Sequence, residues 1–287
     1  MSSTDAARRH AGERHGAGHL TTYVVLTLLA IVYIFPFLVQ VANSFKTDEE
    51  ATVAGMALWS ANWTTAAYQT LFANSNFALW TLNSFLVTIL VTLGRVFFVS
   101  LAGYALARLR FPGRQAVYLM LVAVMSVPAV VLLIPKFLVI KTLGIYDSYP
   151  GMILPLLVDA AGVFIMRNFF ESIPVAVEEA ARIDGAGTFR TFWSVVLPMS
   201  RPALMTIIIL SFQGSWNELN HFIVSTQSPE LITLTKGVAS LASGQLSAGN
   251  QYPIKLAAAA LMTIPVAVIF FIFQKRIMNT SGGAVKE

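Results

Sequence analysis

The sequence predicts an all-α integral membrane protein with six membrane-spanning helices and both termini in the cytoplasm. Three observations carry this expectation. Of the 287 residues, 56% are hydrophobic and only 11% are charged, with a mean hydropathy of +0.69. A soluble domain of this size carries roughly a quarter charged residues. Six apolar stretches also meet the requirement of about 20 residues for a helical span. Finally, lysines and arginines concentrate in alternate loops, the asymmetry that sets membrane orientation.

Taken in order, residues 1–19 are polar and hold Arg8, Arg9, Arg14 and three of the four histidines. They read as a disordered cytoplasmic tail, and their histidines lack the framework of a metal site. The spans then run at about 20–42, 80–107, 115–140, 150–170, 202–224 and 255–274. The first is too long for a signal-peptide core and has no clear small-residue cleavage site, so it reads as a retained anchor. Residues 43–79 hold Trp59, Trp63, Tyr68 and Trp80, rings expected at headgroup level. Residues 225–254 are rich in Ser, Gly and Thr and read as an external loop or short surface helix. Residues 275–287 form a cytoplasmic C-terminal tail.

With six spans, the tails and the loops at 108–114 and 171–202 share one side. That side holds thirteen of the 19 basic residues, among them Arg108, Arg110, Arg114, Arg182, Arg190 and Arg201. The other side has Lys46, Lys141, Lys236 and Lys255, while Arg95 and Lys136 fall inside spans. The basic balance is therefore a topology signal and not a nucleic-acid footprint.

Enzyme chemistry finds no support. There is no GxxxxGK[ST] loop, HExxH or GxSxG motif, and no metal-ligand cluster. The absence of cysteine excludes disulfides, thiolate metal sites and cysteine nucleophiles. Any nucleotide that powers transport must be bound by another chain. Four polar residues at membrane depth are candidates for a translocation pathway: Arg95 in span two, Asp159 in span four, and Asn217 and Glu218 in span five. A charge at the depth of Arg95 is costly unless it faces a partner or a wet cavity. Two readings stand, a structural pairing with Asp159 or Glu218 and a pathway-lining role. Pro128, Pro135 and Pro265 would free backbone carbonyls in mid-membrane, which suits a solute pathway and a packing kink equally.

The polar interruption at 171–202 is predicted to be a helix-turn-helix. Ser172 would cap a first helix with Pro174 in its first turn and Glu178 and Glu179 in its N-terminal half. Gly185 and Gly187 would make the turn. A second helix after Thr188 would carry Phe189, Phe192, Trp193 and Val196 as one apolar stripe and end at Leu197-Pro198. Ser200-Arg201-Pro202 would cap the next span. Such an element could lie on headgroups, merely connect spans, or dock into a protein groove. Its mixture of Glu178, Glu179 and Asp184 with Arg182 and Arg190 argues against adhesion to anionic lipid.

Glu179-Ala180-Ala181, three residues, Gly185, nine residues, then Val195-x-Leu197-Pro198 resembles the EAA loop of ABC importer permeases, with Val195 in place of the usual Ile. Asn43-Ser44-Phe45-Lys46, Asn83-Ser84, the run Tyr104 to Gly113 and Trp216-Asn217 resemble the carbohydrate-importing, maltose-type branch. So does the ending Gly282 to Glu287, where Glu287 replaces a final Gly. The resemblance runs from about residue 20 onward.

It implies the type I importer fold and a bacterial inner-membrane location. It also implies a second permease subunit, two cytoplasmic ATPase subunits that hold ATP and Mg, an external solute-binding protein and a carbohydrate substrate. Coupling to the ATPase would involve Glu178, Glu179, Ala180, Ala181, Asp184, Gly185, Leu197 and Pro198. Gly283, Ala284, Val285 and Lys286 would reach toward the ATPase dimer. Gly187 stands where the family often has Ser. The competing reading is a stand-alone secondary transporter or channel for a small polar solute, with the loop as a surface anchor.

Overall fold

The computed structural model describes residues 3–242 and 251–282, with side chains placed over 20–73, 75–242 and 251–274. Every helix or strand assigned among them is helical. The chain divides into two units, Met1–Asn74 with Ser247–Leu261, and Ser75–Leu246 with Met262–Glu287.

In the first unit, α1 (Ser3–Ser44) begins inside the segment expected to be disordered, because its Ala and Arg residues are strong helix formers. From Leu20 to Leu38 every side chain of α1 is exposed. Directly after it, the Asn43–Lys46 run knots the chain. Asn43 donates to the carbonyls of Val39 (2.9 Å) and Gly55 (2.6 Å), and the buried Lys46 ammonium donates to those of Ala54 (3.1 Å) and Ala57 (2.5 Å). Ser44 shares a hydrogen bond with Tyr68 (2.8 Å). These bonds order α2 (Asp48–Val53) and seat α3 (Ala66–Asn74).

The second unit is built on α4 (Phe77–Arg108). Its buried residues Trp80, Ser84, Val87, Val91, Val99, Gly103 and Ala107 follow a three-to-four-residue spacing, missing only the turn at Arg95. Asn83, Thr88, Thr92 and Ser100 lie inward too, while Leu86, Ile89, Leu90, Leu93 and Phe97 are exposed. This inverted polarity suits a helix in lipid, where small and polar residues mediate helix contacts. After α4 come α5 (Arg114–Met125), α6 (Leu133–Thr142), α7 (Tyr149–Ile153) and α8 (Ala160–Ser172). Next are α9 (Val175–Ile183), α10 (Thr188–Thr191), α11 (Leu197–Met199) and α12 (Arg201–Trp216). Last come α13 (Asn220–Ser225), α14 (Leu234–Ala242) and α15 (Tyr252–Gly282). The principal packing is α8 and α12 against α4. A Cβ at Gly103 would lie 2.8 Å from that of Met166, so only glycine lets α4 and α8 approach this closely.

Three helices among the described residues are long and apolar enough to cross a membrane, Leu20–Ser44, Phe77–Arg108 and Tyr252–Gln274, and three bent pairs would bring the number to six. Spans three, four and five are not single rods. Span three bends by 105° between Met125 and Ala129, where Pro128 has extended backbone. Span four bends by 41° between Leu156 and Ala160. Span five stops at Trp216, and α13 restarts where the Glu218 carboxylate accepts the N–H of His221 (2.9 Å). Pro265 leaves α15 continuous; the Trp216 indole donates to Met262 (3.1 Å), in the turn the proline disrupts.

Among the described residues, the second unit holds two apolar cores. One gathers Val99, Tyr104, Met166, Phe170, Phe192 and Ile207. The other gathers Val87, Val91, Met152, Leu156 and Phe222.

Near the second core, Asp147 (φ 55°) staples the turn before α7 to the chain after α13. Its carboxylate accepts the N–H groups of Gln227 (2.8 Å) and Ser228 (2.9 Å) and the Ser228 hydroxyl (2.5 Å). The Gln227 N–H first, then the Ser228 groups, hold its carboxyl below the ordinary value. The depressed folded pKa makes the staple stabilising above the unfolded value of ~3.9 and weakening as pH falls through the folded value. Hydrogen-exchange protection of Gln227 and Ser228 should fall on acidification, and Asp147→Asn should remove that pH dependence.

Candidate functional site

The segment expected to dock a partner sits where α4 ends, α8 ends and α12 begins. Its anchor is Glu178, which is 1% exposed. The carboxylate lies 2.7 Å from Arg108 Nε, accepts a hydrogen bond from the Tyr104 hydroxyl (3.2 Å), and has Arg182 at 3.8 Å. Arg108 also donates to the carbonyls of Phe170 (2.6 Å) and Ile173, the last turn of α8 and the residue after it. One guanidinium thus ties α4, the end of α8 and α9 together. Such a buried pair needs this full set of partners, because desolvation of both charges otherwise outweighs their attraction.

A neighbouring set of contacts braces the same corner. Arg114 donates to the Ala107 carbonyl at the end of α4 (3.0 Å) and lies 3.6 Å from Glu171. Glu171 pairs with Arg167 (2.7 Å), whose guanidinium sits 3.8 Å over the Tyr118 ring. Gly113, at φ 82°, turns the chain so that Arg114 can reach back. The run Tyr104 to Gly113 and the loop are therefore two halves of one device. Their pairing spans 65 to 74 residues, and the sequence carries no signal of it.

Ser172 does not cap α9. It is the last residue of α8, and its hydroxyl donates back to Phe169 (2.7 Å), while Pro174 occupies the N-cap position. Glu178, expected among the residues facing a partner, is turned inward. What faces outward is Glu179, Ala180, Ile183, Asp184 and Gly185, with Ala181 half-buried. Gly185 closes α9 at φ 79°. The Ala186 N–H bonds to Ala181 (2.9 Å) and the Gly185 N–H to Arg182 (3.0 Å), the paired pattern of a glycine-terminated helix. Gly187 has ordinary backbone and open space around it, so this chain's own geometry does not demand glycine there.

The second half of the element departs from a regular helix. A π turn over Phe192–Val196 separates α10 from α11 and splits the expected stripe. Phe192 and Val196 are buried, with the Phe192 ring 5.0 Å from that of Tyr104. Phe189 and Trp193 are exposed and stack on each other (6.3 Å, 11°). Leu197-Pro198 does not end the helix; it runs on to Met199. Ser200, where the chain bends by 81° into α12, donates to Val196 (2.8 Å) and does not cap α12 through its side chain. Leu197 is half-buried and Pro198 exposed.

The four polar residues at membrane depth do not form one group. Arg95 donates through Nε to the Leu156 carbonyl (2.5 Å). Asp159 caps α8 by accepting the Gly162 N–H (2.8 Å). Arg95 and Asp159 line a cavity of about 50 Å³ together with Ser211. Asn217 and Glu218 lie at the break between α12 and α13. Among the described residues no three His, Asp or Glu side chains are placed to share a metal ion. Gly283, Ala284, Val285 and Lys286 lie outside the described residues.

Comparison with known proteins places these features in context. Residues 99–279 match the family described as binding-protein-dependent transport system inner membrane component. The chain is 31% identical to the diacetylchitobiose uptake system permease protein NgcG of Streptomyces coelicolor, over 90% of this chain and 86% of that protein. It is also 31% identical to the arabinooligosaccharides transport system permease protein AraQ of Bacillus subtilis, over 94% and 98% respectively. A chain from the crystal structure of a bacterial ABC transporter involved in the import of the acidic polysaccharide alginate has the same fold. It matches with a TM-score of 0.78 at 24% identity, covering 96% of this chain and 98% of that one.

The anchor yields a direct expectation. Arg108→Leu strands the buried Glu178 carboxylate and should cost about 3–5 kcal/mol, whereas pairing it with Glu178→Leu should recover most of the loss. Thermal unfolding of the purified chain, followed by tryptophan fluorescence, measures both. An equal loss in the double variant would remove the ion pair as the anchor.

Proposed function

Because the chain belongs to the family of binding-protein-dependent transport system inner membrane components, we propose that its 171–202 element is the joint through which a cytoplasmic ATPase moves the membrane helices. The chain is a multi-pass inner-membrane permease subunit of an ABC importer and not an enzyme. The observation that carries the coupling reading is the split character of the loop. Glu178, Phe192 and Val196 root it in the core, while Glu179, Ile183, Asp184, Phe189 and Trp193 stay exposed. An apolar face rimmed by charge, on a rooted short helix, suits docking into a protein groove.

In this reading six spans, two of them bent and the fifth interrupted after Trp216, cross the membrane, and both tails and the loop lie in the cytoplasm, as the distribution of Lys and Arg supports. A second permease subunit completes the pathway. Two ATPase subunits hold ATP and Mg and grip the loop, an external binding protein delivers the solute, and the tail at Gly283–Lys286 contacts the ATPase pair. The solute is a carbohydrate. The names of two relatives among several, a diacetylchitobiose and an arabinooligosaccharide system, support an oligosaccharide.

Gly185→Asp puts a side chain where φ is 79° and a carboxylate on the docking face; Gly187→Ala changes neither. In the reconstituted importer, Gly185→Asp should lower uptake about tenfold or more, within the range of a coupling energy of about 1–3 kcal/mol, and Gly187→Ala should not. Full uptake by Gly185→Asp, or ion-gradient-driven uptake by this chain alone, would defeat the assignment. A thermal-shift screen of the cognate binding protein should pick out an oligosaccharide.

A further inference from the structure

The two apolar cores meet at one polar layer. On α4, Val91 belongs to the second core and Val99 to the first, and Arg95 lies midway between them. The interrupted fourth span straddles the same boundary. Its leading part puts Met152 and Leu156 into the second core, while α8 puts Val163, Met166 and Phe170 into the first. Between them the axis bends by 41°.

A helix broken inside a membrane leaves bare carbonyls before the break and bare N–H groups after it, with no water to satisfy them. Here each side meets a charged side chain of matching sign. Arg95 donates to the Leu156 carbonyl (2.5 Å), and the Asp159 carboxylate accepts the Gly162 N–H (2.8 Å). Both border one cavity of about 50 Å³, so their opposite charges face a common space. The cavity is far below the roughly 300 Å³ of the smallest ligand sites, so it does not hold a sugar ring.

We propose that Arg95 and Asp159 are positioning residues that splice the broken span and make it the pivot between the loop-bearing core and the second core. The proposal rests on the permease reading. Packed cores move as bodies, so rotation concentrates at the few element-terminal residues between them. α8 runs to Ser172, and only Ile173 and Pro174 separate it from α9, so displacement of the loop pulls directly on this pivot. Hydrogen bonds to backbone atoms hold the break in register, and Leu157, inside the break, seats against Gly94 on α4, where the missing side chain leaves it room.

The test uses the complete importer, reconstituted with its partner subunits and binding protein. Arg95→Leu should lower uptake per ATP hydrolysed by about tenfold or more, and Arg95→Lys, which keeps a donor, should stay within about threefold of wild type. Arg95→Leu with Asp159→Asn removes the charge imbalance yet leaves the Leu156 carbonyl bare. That double variant should assemble normally and remain uncoupled. Wild-type uptake per ATP in the double variant would reduce the pair to charge compensation and overturn the proposal. Because the chain has no cysteine, spin labels at Leu154→Cys and Asn168→Cys report the bend directly. Their separation should change with ATP in the wild type and not in Arg95→Leu; a constant separation in the wild type would also overturn it. A wild-type complex that fails to couple uptake to ATP would instead refute the permease reading itself.

Discussion

The ion pair between Glu178 and Arg108 is the constraint on which the rest of the structure depends. A carboxylate that is 1% exposed has lost its water and depends on protein partners, which come from α4 and α9. The same guanidinium takes the carbonyls at the end of α8, so one side chain decides how three elements meet. Around it, Tyr104, Phe170 and Phe192 form an aromatic collar with ring centroids 5.0 to 6.4 Å apart. Charge sets the register and the collar supplies apolar contact. A loop attached this way can transmit force, because pulling on it pulls on the ends of the helices and not on a flexible tether.

Much of this was legible in the sequence, and the failures have physical causes. The 171–202 element stands out because a polar run between apolar stretches must leave the lipid, and the spacing of Glu179, Gly185 and Leu197-Pro198 is specific. The role of Gly185 follows from the left-handed backbone that ends a helix. The inward turn of Glu178 could not be read, since its partners lie on α4, some seventy residues away. The stripe from Phe189 to Val196 assumed a regular 3.6-residue period, and one π turn rotates half of it to the surface. Arg95 could be flagged as costly but not paired, because its partner is a backbone carbonyl, which has no residue identity to search for. Pro128 marks the break of span three in the sequence itself, whereas the interruptions of spans four and five carry no such mark: length and hydropathy describe a rod, and only the neighbours reveal where it breaks.

The 81° corner at Ser200 carries a mechanical consequence. Ser200 is fully buried, donates to Val196 through its N–H (3.1 Å) and its hydroxyl (2.8 Å), and accepts the Leu204 N–H (2.9 Å), so it is bonded into both arms of a bell crank. At about 1.5 Å per residue, the arm from Thr188 to Met199 is about 18 Å long and the α12 arm about 24 Å. A push of about 3 Å at Phe189 corresponds to a rotation of about 10°, which sweeps the far end of α12 through about 4 Å by the same geometry. The ratio exceeds one: the docking arm is the shorter, so the membrane arm amplifies displacement and gives up force. In the proposed coupling role, a modest displacement at Phe189 becomes a larger stroke at Trp216, beside the break at Asn217 and Glu218.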